Sequence, residues 1–424
     1  MDGGKLLGQG AYGCAFYPHL PCKGTKSYPG SIGKIFSRAS DLKEEEEINK
    51  TILLIDPESK FTVPLNGTCM INPEKLNSEN TSSECNKFKK NGQKQLMYRY
   101  GGVDMDKFAR TFTIGKKAMY IDDIFPLLLP IIEGITAMCS LGKAHSDIKP
   151  ENLVYDFNRH LMYLIDFGLL TDFNDIQHSD HLLKHPYLYY PPEFLVKYYQ
   201  RTGKLIPSTD FLKRFTPNFT SFINYLRKYS LENEVSMFMS KYLEMNNPRN
   251  FTDFFQSTCI PTIDTYSLAV SMFEIMYILY KDRKLNVRDH KLYDQYVEVL
   301  ARMSHPNPLK RMDSKKSAER FRKIMKKGQN DTLTNLPKTN KLCMQMLGKE
   351  IKLKLQEKGL SKYGTKEQMC KRLEGAQAST TVVSGTCVSL RAKEIKIKLK
   401  ENGLPQYGTK ADMCKRLKAA GINI

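Results

Sequence analysis

The sequence lacks the features that most directly identify metal-binding proteins. Its ten cysteines, which run from Cys14 to Cys414, include no CxxC pair, the spacing typical of zinc sites and redox motifs. In a chain of 424 residues this favours reduced thiols over a disulfide framework or a zinc site. We therefore expect a protein of the cytoplasm or the nucleus.

Long apolar runs are also missing. The longest is Ile124–Leu141, and it is interrupted by Pro126, Pro130 and Glu133. It therefore predicts a buried helix and not a membrane span. The opening residues, MDGGKLLGQG, contain no basic segment followed by an apolar one, so no signal peptide is expected.

Acidic residues are few relative to basic ones. The chain has 65 Lys and Arg against 45 Asp and Glu, a net charge of +20 and a pI of about 9.3. An excess of this size favours an acidic partner, such as nucleic acid, an anionic membrane or an acidic protein. Half of it lies in Lys349–Ile424, where seventeen Lys and Arg stand against seven Asp and Glu.

The stretch His145–Gly168 carries the most informative chemistry and reads HSDIKPENLVYDFNRHLMYLIDFG. Two short apolar runs separated by a polar turn predict a β-hairpin inside it. Such a hairpin puts Asp147 and Asn152 at its entrance and Asp166 just past its exit. The three side chains are therefore expected to converge on one cleft.

The motifs of this stretch resemble those of protein kinases. HSDIKPEN is similar to the HRDLKPEN catalytic loop, and IDFG is similar to the metal-binding DFG. Phosphoryl transfer needs a carboxylate that accepts a proton, metal ligands, and a cation near the phosphate. The resemblance assigns these roles to Asp147 as base, Asn152 and Asp166 as Mg²⁺ ligands, and Lys149 on the γ-phosphate side. Lys149 also favours Ser/Thr acceptors over Tyr.

A glycine-rich motif stands near the N-terminus, where residues 7–15 read LGQGAYGCA and fit GxGxxG. Glycines at these positions let the backbone approach phosphate groups closely. By resemblance, the nucleotide-binding residues are Leu7, Gly8, Gln9, Gly10, Ala11, Tyr12, Gly13 and Ala15, with Ala15 in place of the usual Val. Lys34, on a short strand-like run, is the candidate for the lysine that binds the α- and β-phosphates.

The helix after this strand supplies the expected partner of Lys34. It is predicted to begin at a capping residue, Ser40 or Asp41, and its apolar face turns Glu44 and Glu45 inward. In kinases one glutamate of this helix pairs with the strand lysine. Glu45 is the preferred candidate here, and Glu44 is the alternative.

Further landmarks follow in the order found in kinases. RYGGVDM at 99–105 resembles the hinge between the two lobes, where Asp104 is expected to face the ribose. Pro192 and Glu193 resemble the end of the activation segment, and Arg311 resembles the arginine that pairs with that glutamate.

Two departures from the kinase pattern bear on function. Ser146 replaces the arginine that binds a phosphorylated activation segment, so the activity is expected not to depend on such a phosphate. Residues 198–259 form an insertion with helical periodicity around Phe219–Leu243, which we interpret as packing on the large lobe, with a docking surface as the alternative. These features resemble predicted serine/threonine kinases of large double-stranded DNA viruses.

The tail contains an internal repeat with a period of 44 residues. Residues 349–373 and 393–417 are identical at 18 of 25 positions, and each copy reads as helix, glycine turn and helix. Gly359 or Gly403 ends the first helix of a copy, and Thr365 or Thr409 caps the second. The pattern resembles the SAP motif, a two-helix DNA-binding module. Lys371, Arg372, Lys415 and Arg416, with Lys366 and Lys410 near a helix N-terminus, suit phosphate contact. Solvated basic helices or a protein-docking pair are the alternative.

The expected fold class is α+β, a two-lobed protein kinase fold followed by two small helix-turn-helix SAP-like modules. The expected domains are a kinase domain at 1–327, a linker at 328–347, a first repeat at 348–376, a second linker at 377–390 and a second repeat at 391–421.

The expected function is ATP-dependent transfer of the γ-phosphate to protein Ser/Thr hydroxyls, with Mg²⁺ as cofactor and duplex DNA as partner of the tail. The opposing hypothesis is a weakly catalytic pseudokinase scaffold whose tail binds DNA or proteins. Retention of Lys34, Asp147, Asn152 and Asp166 favours the enzyme, because a scaffold does not need all four. No membrane partner is expected, and a viral protein would act in the host cell or virion.

Overall fold

In a computed structural model the chain divides into two compact units, Met1–Lys327 and Gly328–Ile424. In the first unit and the helix that leaves it, the structure describes residues 4–9, 13–24, 28–72, 85, 93–111, 120–179, 182, 187–203, 216–228, 230–243 and 248–334. In the rest of the second unit it describes 351, 355, 360, 368–370, 372, 395, 397, 399, 401–402, 412–413 and 416–417. The fold is α+β, with helix and sheet both well represented.

The described strands lie between Lys5 and Asp172 of the first unit. They are β1 Lys5–Gln9, β2 Gly13–Tyr17, β3 Ser31–Phe36, β4 Leu65–Met70, β5 Lys94–Arg99, β6 Val103–Asp104, β7 Lys143–Ala144, β8 Leu153–Asp156, β9 Leu161–Leu164 and β10 Thr171–Asp172. Five form an antiparallel sheet in the order β1-β2-β3-β5-β4. β8 and β9 form the hairpin predicted from the sequence, with β6 at its edge, and β7 pairs with β10.

Most of the described helices follow the strands along the chain. They are α1 Ala39–Ile55, α2 Met105–Thr111, α3 Ile121–Ile124, α4 Leu129–Ser140, α5 Phe173–Ile176, α6 Glu193–Thr202, α7 Pro217–Arg227, α8 Leu231–Leu243, α9 Pro248–Phe254, α10 Ile263–Lys281, α11 His290–Met303 and α12 Ser314–Thr334. A 3₁₀ turn, Phe125–Leu128, links α3 to α4.

Helix α10 lies at the centre of the hydrophobic core of the first unit. Fourteen of its residues are buried, which requires side chains that are apolar or small on every face, as in its sequence IDTYSLAVSMFEIMYILYK. Among the described residues, Ile121–Ser140 is the stretch long and apolar enough to cross a membrane. Its residues Ile131, Ile135 and Met138 are buried in this same core.

Two predicted helix boundaries are wrong. Helix α1 begins at Ala39 after Arg38, and the side chains of Ser40 and Asp41 bond to each other instead of capping it. Helix α12 continues to Thr334, seven residues into the segment predicted to be a linker. Ala39, a strong helix former, extends α1 before the predicted caps. Residues 328–334, GQNDTLT, are mostly poor helix formers, so local propensity does not account for the extension of α12.

The expectation of reduced thiols is also wrong. Disulfides join Cys14 to Cys85 and Cys22 to Cys69, over sequence separations of 71 and 47 residues. Their Cα atoms lie 6.3 Å and 5.7 Å apart, within the range that a disulfide spans. An isolated β-bridge between Cys22 and Ile71 places Cys22 close to Cys69. Sequence spacing alone cannot reveal such proximity. The argument from thiols to a cytoplasmic or nuclear location is thereby removed, and Cys370 of the second unit is disulfide-bonded as well.

The described part of the 198–259 insertion is helical and packs on α10. The ring of Phe219 lies 5.2 Å from that of Tyr277, and the ring of Phe222 lies 5.2 Å from that of Tyr280. These contacts agree with packing against the rest of the first unit.

The second unit has a small apolar core in each repeat. Ile351, Leu355, Met369 and Cys370 are buried together in the first copy. In the second copy Ile395, Leu399 and Met413 are buried at the positions equivalent to Ile351, Leu355 and Met369, and Leu417 is buried as well. The predicted turn glycines Gly359 and Gly403 and the predicted caps Thr365 and Thr409 lie outside the described residues.

Candidate active site

A cavity of about 930 Å³ in the first unit is lined by the five-stranded sheet on one side and by the β8–β9 hairpin on the other. Apolar side chains form one part of its wall: Ala15, Ile32, Val63, Val154 and Leu164. Charged and amide side chains form another part: Lys34, Glu45, Asp147, Lys149, Asn152 and Asp166. An apolar wall with a few convergent polar groups fits an amphipathic small molecule.

Lys34 lies on β3 and connects two carboxylates across the cavity. Its Nζ is 3.0 Å from Glu45 Oε1 on α1 and 3.2 Å from Asp166 Oδ1 beyond β9. Burial alone would lower the pKa of Lys34, but the two carboxylates outweigh it and raise that pKa. Glu45 is therefore the residue that pairs with Lys34, while Glu44 is exposed.

A second layer of side chains, which the sequence did not reveal, fixes Glu45. Tyr98 on β5 donates its hydroxyl to Glu45 Oε1 at 2.8 Å, and Asn49 Nδ2 donates to Tyr98 Oη at 2.6 Å. Burial, followed by the charge of Glu45, raises the pKa of Tyr98 well above its usual value, so the hydroxyl keeps its proton. The hydrogen bond from Tyr98 thus fixes the Glu45 carboxylate beside Lys34, and the hydrogen bond from Asn49 fixes Tyr98.

Asp147 receives three side-chain hydrogen bonds. Lys149 Nζ and Asn152 Nδ2 both donate to Oδ2, at 2.8 Å and 3.0 Å. The hydroxyl of Tyr187 donates to the other oxygen, Oδ1, at 3.1 Å. Tyr187 was not predicted from the sequence, because forty residues separate it from Asp147 and no motif marks it.

The loop that carries Asp147 is held by a buried carboxylate beneath it. The backbone N–H groups of His145 and Ser146 donate to Asp264 at 2.7 Å and 3.0 Å. Ser146 has φ of 64°, a left-handed conformation that a residue with a side chain adopts only when its surroundings impose it. Tyr190 contributes by donating its hydroxyl to the carbonyl oxygen of Ser146 at 2.7 Å.

His145 links this loop to the segment that precedes Asp166. Its Nε2 lies 3.2 Å from the carbonyl oxygen of Ile165, and its Nδ1 accepts the N–H of Asp147 at 3.2 Å. These partners require the neutral imidazole with the proton on Nε2. Burial lowers the pKa of His145, which agrees with that neutral form.

Asn152 and Asp166 provide oxygens suited to a Mg²⁺ ion. Because Asn152 Nδ2 donates to Asp147, its amide oxygen points away from that carboxylate. The N–H of Ile165 donates to the carbonyl of Asn152 at 3.0 Å, which keeps Asp166 near Asn152. The described residues include no cluster of three His, Cys, Asp or Glu side chains. Two protein oxygens completed by phosphates and water are a set that Mg²⁺ accepts.

The glycine-rich segment forms the β1–β2 hairpin over the cavity. Gly8, Gln9, Gly13 and Ala15 line the cavity. A Cβ on Gly13 would lie 1.9 Å from the carbonyl oxygen of Ile35, so only glycine fits there.

Five of the predicted nucleotide-binding residues are not seen in the cavity wall. Gly10, Ala11 and Tyr12 lie outside the described residues. Leu7 is 43% exposed and does not line the cavity. Asp104 is also not in the cavity wall, and its carboxylate instead accepts the N–H of Lys107 at 2.7 Å, at the start of α2.

Comparison with models of known protein families and with curated proteins finds no match to this chain. Any functional assignment therefore depends on its motifs and on the geometry of its site.

Proposed function

We propose that the chain is an ATP-dependent serine/threonine protein kinase, similar to those predicted in large double-stranded DNA viruses, with a two-lobed kinase fold in its first unit. One observation carries this proposal. A single cavity contains the Lys34–Glu45 pair and Asp166 together with an Asp147 that is hydrogen-bonded to both Lys149 and Asn152. Phosphoryl transfer needs a lysine for the phosphates, metal ligands and a proton acceptor in this proximity.

Each group has a role in the transfer. The apolar wall, with Ala15 and Val154, packs against the adenine. Lys34 binds phosphate oxygens, which replace Asp166 as one of its partners. Asp147 orients the acceptor hydroxyl and takes its proton. Lys149 pairs with Asp147 at 2.8 Å, which orients that carboxylate, and offers its charge to the transferred phosphoryl group.

Mg²⁺ would be held by Asn152 and Asp166. When bound, it neutralises the charge on the phosphates and so favours departure of ADP. Burial alone would raise the pKa of Asp166, but the nearby Lys34 outweighs it and lowers that pKa, so Asp166 is ionised and ready to bind a cation at neutral pH.

For the tail we propose binding of duplex DNA by two SAP-like modules. The support is the sequence repeat, the strongly basic composition, and the matching buried positions Ile351 and Ile395. Of the residues expected to contact phosphate, Arg372 and Arg416 are described and partly exposed, while Lys371 and Lys415, like Lys366 and Lys410, lie outside the described residues. Binding through phosphates would be largely independent of base sequence.

The decisive experiment compares Asp147→Asn with Asp172→Asn in the full chain. Both replace a carboxylate by an amide, but Asp172 pairs with Lys143 and its side chain is 54% exposed. Transfer of labelled phosphate from ATP to a basic test protein, with Mg²⁺ present, should fall by about 10²–10⁴-fold for Asp147→Asn. Asp172→Asn should stay close to the unmodified protein.

Equal activity of the unmodified protein and Asp147→Asn would reject the kinase. The chain would then be a scaffold, and its tail would be the functional part.

A further inference from the structure

The hydroxyl of Tyr187 occupies a place that the proposed reaction reserves for a substrate. Lys149 and Asn152 both bond to Oδ2 of Asp147, which leaves Oδ1 as the oxygen that faces an incoming hydroxyl. Tyr187 Oη donates to this Oδ1 at 3.1 Å, and its ring lines the cavity. A hydroxyl that donates to the base has the arrangement expected of an acceptor before transfer.

The neighbouring tyrosines show that this placement is specific. Tyr189 donates its hydroxyl to Glu274, and Tyr190 donates to the carbonyl oxygen of Ser146. Of the three, Tyr187 is the one whose hydroxyl bonds to Asp147. Its ring lies 5.1 Å from each of the other two rings, which fixes its orientation.

The chemical state of Tyr187 agrees with its position. Burial, together with the charge of Asp147, raises the pKa of the Tyr187 hydroxyl far above its usual value. The hydroxyl is therefore protonated at neutral pH and becomes a nucleophile only with a base in contact. Asp147 is such a base, and Lys149 Nζ lies 6.0 Å from the centre of the Tyr187 ring.

We infer that Tyr187 is a self-phosphorylation site, modified in cis by the cavity that it lines. This inference rests on the proposed kinase function. In the step, a bond forms between Tyr187 Oη and the γ-phosphorus of ATP while the bond from that phosphorus to the β–γ bridging oxygen breaks. ADP leaves with the bridging oxygen, and the Tyr187 proton passes to Asp147 and then to water.

The preference of the motif for Ser/Thr concerns substrates that bind from solution. Tyr187 needs no such recognition, because the chain itself holds its hydroxyl against the base, and proximity replaces binding. Its product places a phosphate where a substrate hydroxyl must reach Asp147. Phosphorylation of Tyr187 therefore inhibits the enzyme, and the rate at which other proteins are phosphorylated should fall as phosphate accumulates on Tyr187.

The test uses the full chain with ATP and Mg²⁺, and follows phosphate by mass spectrometry on the tryptic peptide 185–197, HPYLYYPPEFLVK. Fragment ions separate Tyr187 from Tyr189 and Tyr190. We expect phosphate on Tyr187. The fraction of chains modified at a given time should be the same over a tenfold range of protein concentration, since the rate of a reaction in cis does not depend on that concentration. Tyr187→Phe should remove this signal, and Tyr189→Phe should keep it.

A Ser/Thr test protein is assayed in the same tubes to separate the two proposals. If that protein is phosphorylated and Tyr187 is not, the self-phosphorylation is rejected and the kinase stands. If neither is phosphorylated, both proposals fail. Asp147→Asn chain labelled with ¹⁵N and mixed with unlabelled active chain should carry no phosphate on Tyr187. Phosphate on its heavy peptide would show transfer between molecules and overturn modification in cis.

Discussion

Arg311 and Glu193 form a two-point ion pair that is completely buried. Nη1 and Nη2 lie 2.6 Å and 2.9 Å from the two carboxylate oxygens, and both side chains are 0% exposed. The other donors of Arg311 bond to Thr262 and to the carbonyl oxygens of His305 and Pro306. The pairing of Arg311 with Glu193 predicted from the sequence is confirmed, and it joins the start of α6 to the segment after α11.

Breaking this pair should destabilise the first unit strongly. Arg311→Met leaves the Glu193 carboxylate buried without a counter-charge, which costs about 3–5 kcal/mol in comparable cases. Urea unfolding followed by circular dichroism should show this as a large fall in the midpoint. Adding Glu193→Leu to Arg311→Met should restore part of the stability, because no unpaired charge is left.

The matched control is Arg322→Met. Arg322 also pairs with a glutamate, Glu133, at 2.7 Å, but the two side chains are 49% and 40% exposed. Exposed pairs contribute about 0–1 kcal/mol, so its midpoint should barely move. Equal losses for the two arginine variants would contradict the importance of burial at Arg311.

The two neighbouring glutamates of α1 should differ sharply in function. Glu45→Gln removes the charge that faces Lys34 and the acceptor of the Tyr98 hydroxyl, whereas Glu44→Gln changes an exposed side chain. Hydrogen bonds to charged groups contribute about 1.5–3 kcal/mol, so kcat/KM for ATP should fall by about tenfold or more in Glu45→Gln. Glu44→Gln should stay within about twofold.

Steady-state kinetics with varied ATP measure this difference. Similar losses in the two variants, or a larger loss in Glu44→Gln, would mean that Lys34 changes its partner in the working enzyme.

Stability should fall on acidification because of His305. This residue is 9% exposed, and burial, helped by the charges of Lys310 and Arg311, outweighs Glu234 and lowers the pKa of His305 to about 4. The unfolded chain, with a histidine pKa near 6.5, binds a proton first as the pH falls. The contribution of His305 to the free energy of unfolding is therefore complete above pH 6.5. It falls by up to about 3 kcal/mol as the pH is lowered towards 4.

Urea midpoints at pH 7, 6, 5 and 4.5 measure this dependence. His305→Gln should flatten the fall relative to the unmodified chain, while His290→Gln, at an exposed position, should leave it unchanged. Identical slopes for the unmodified chain and His305→Gln would show that other groups cause the loss at low pH.

The tail should bind DNA with a salt dependence set by its basic residues. Each phosphate contact contributes about 0.9 to the slope of log affinity against log salt. Replacing Lys371, Arg372, Lys415 and Arg416 with Ala should thus flatten the slope by roughly three to four units. Fluorescence anisotropy measures this slope on the full chain, with long duplex DNA at several salt concentrations.

Kinase activity on a peptide in the same preparations is the control, and it should not change. A full chain that ignores duplex DNA even at low salt would favour protein docking by the repeats.

The sequence determined the elements whose signals are local. The hairpin of β8 and β9, the strand that carries Lys34 and the helices within the insertion follow from alternation or helical periodicity over a few residues. The internal repeat was also evident from the sequence, since it is found by comparing the chain with itself.

Tertiary structure decided which of these residues meet. The choice of Glu45 over Glu44, the disulfide between Cys14 and Cys85, and the hydroxyl of Tyr187 on Asp147 all depend on how separate segments pack. Side-chain periods constrain only near neighbours, whereas these contacts span from 11 to 71 residues. No local sequence pattern predicts contacts between segments this far apart, because such contacts depend on how the whole core packs and not on any one segment.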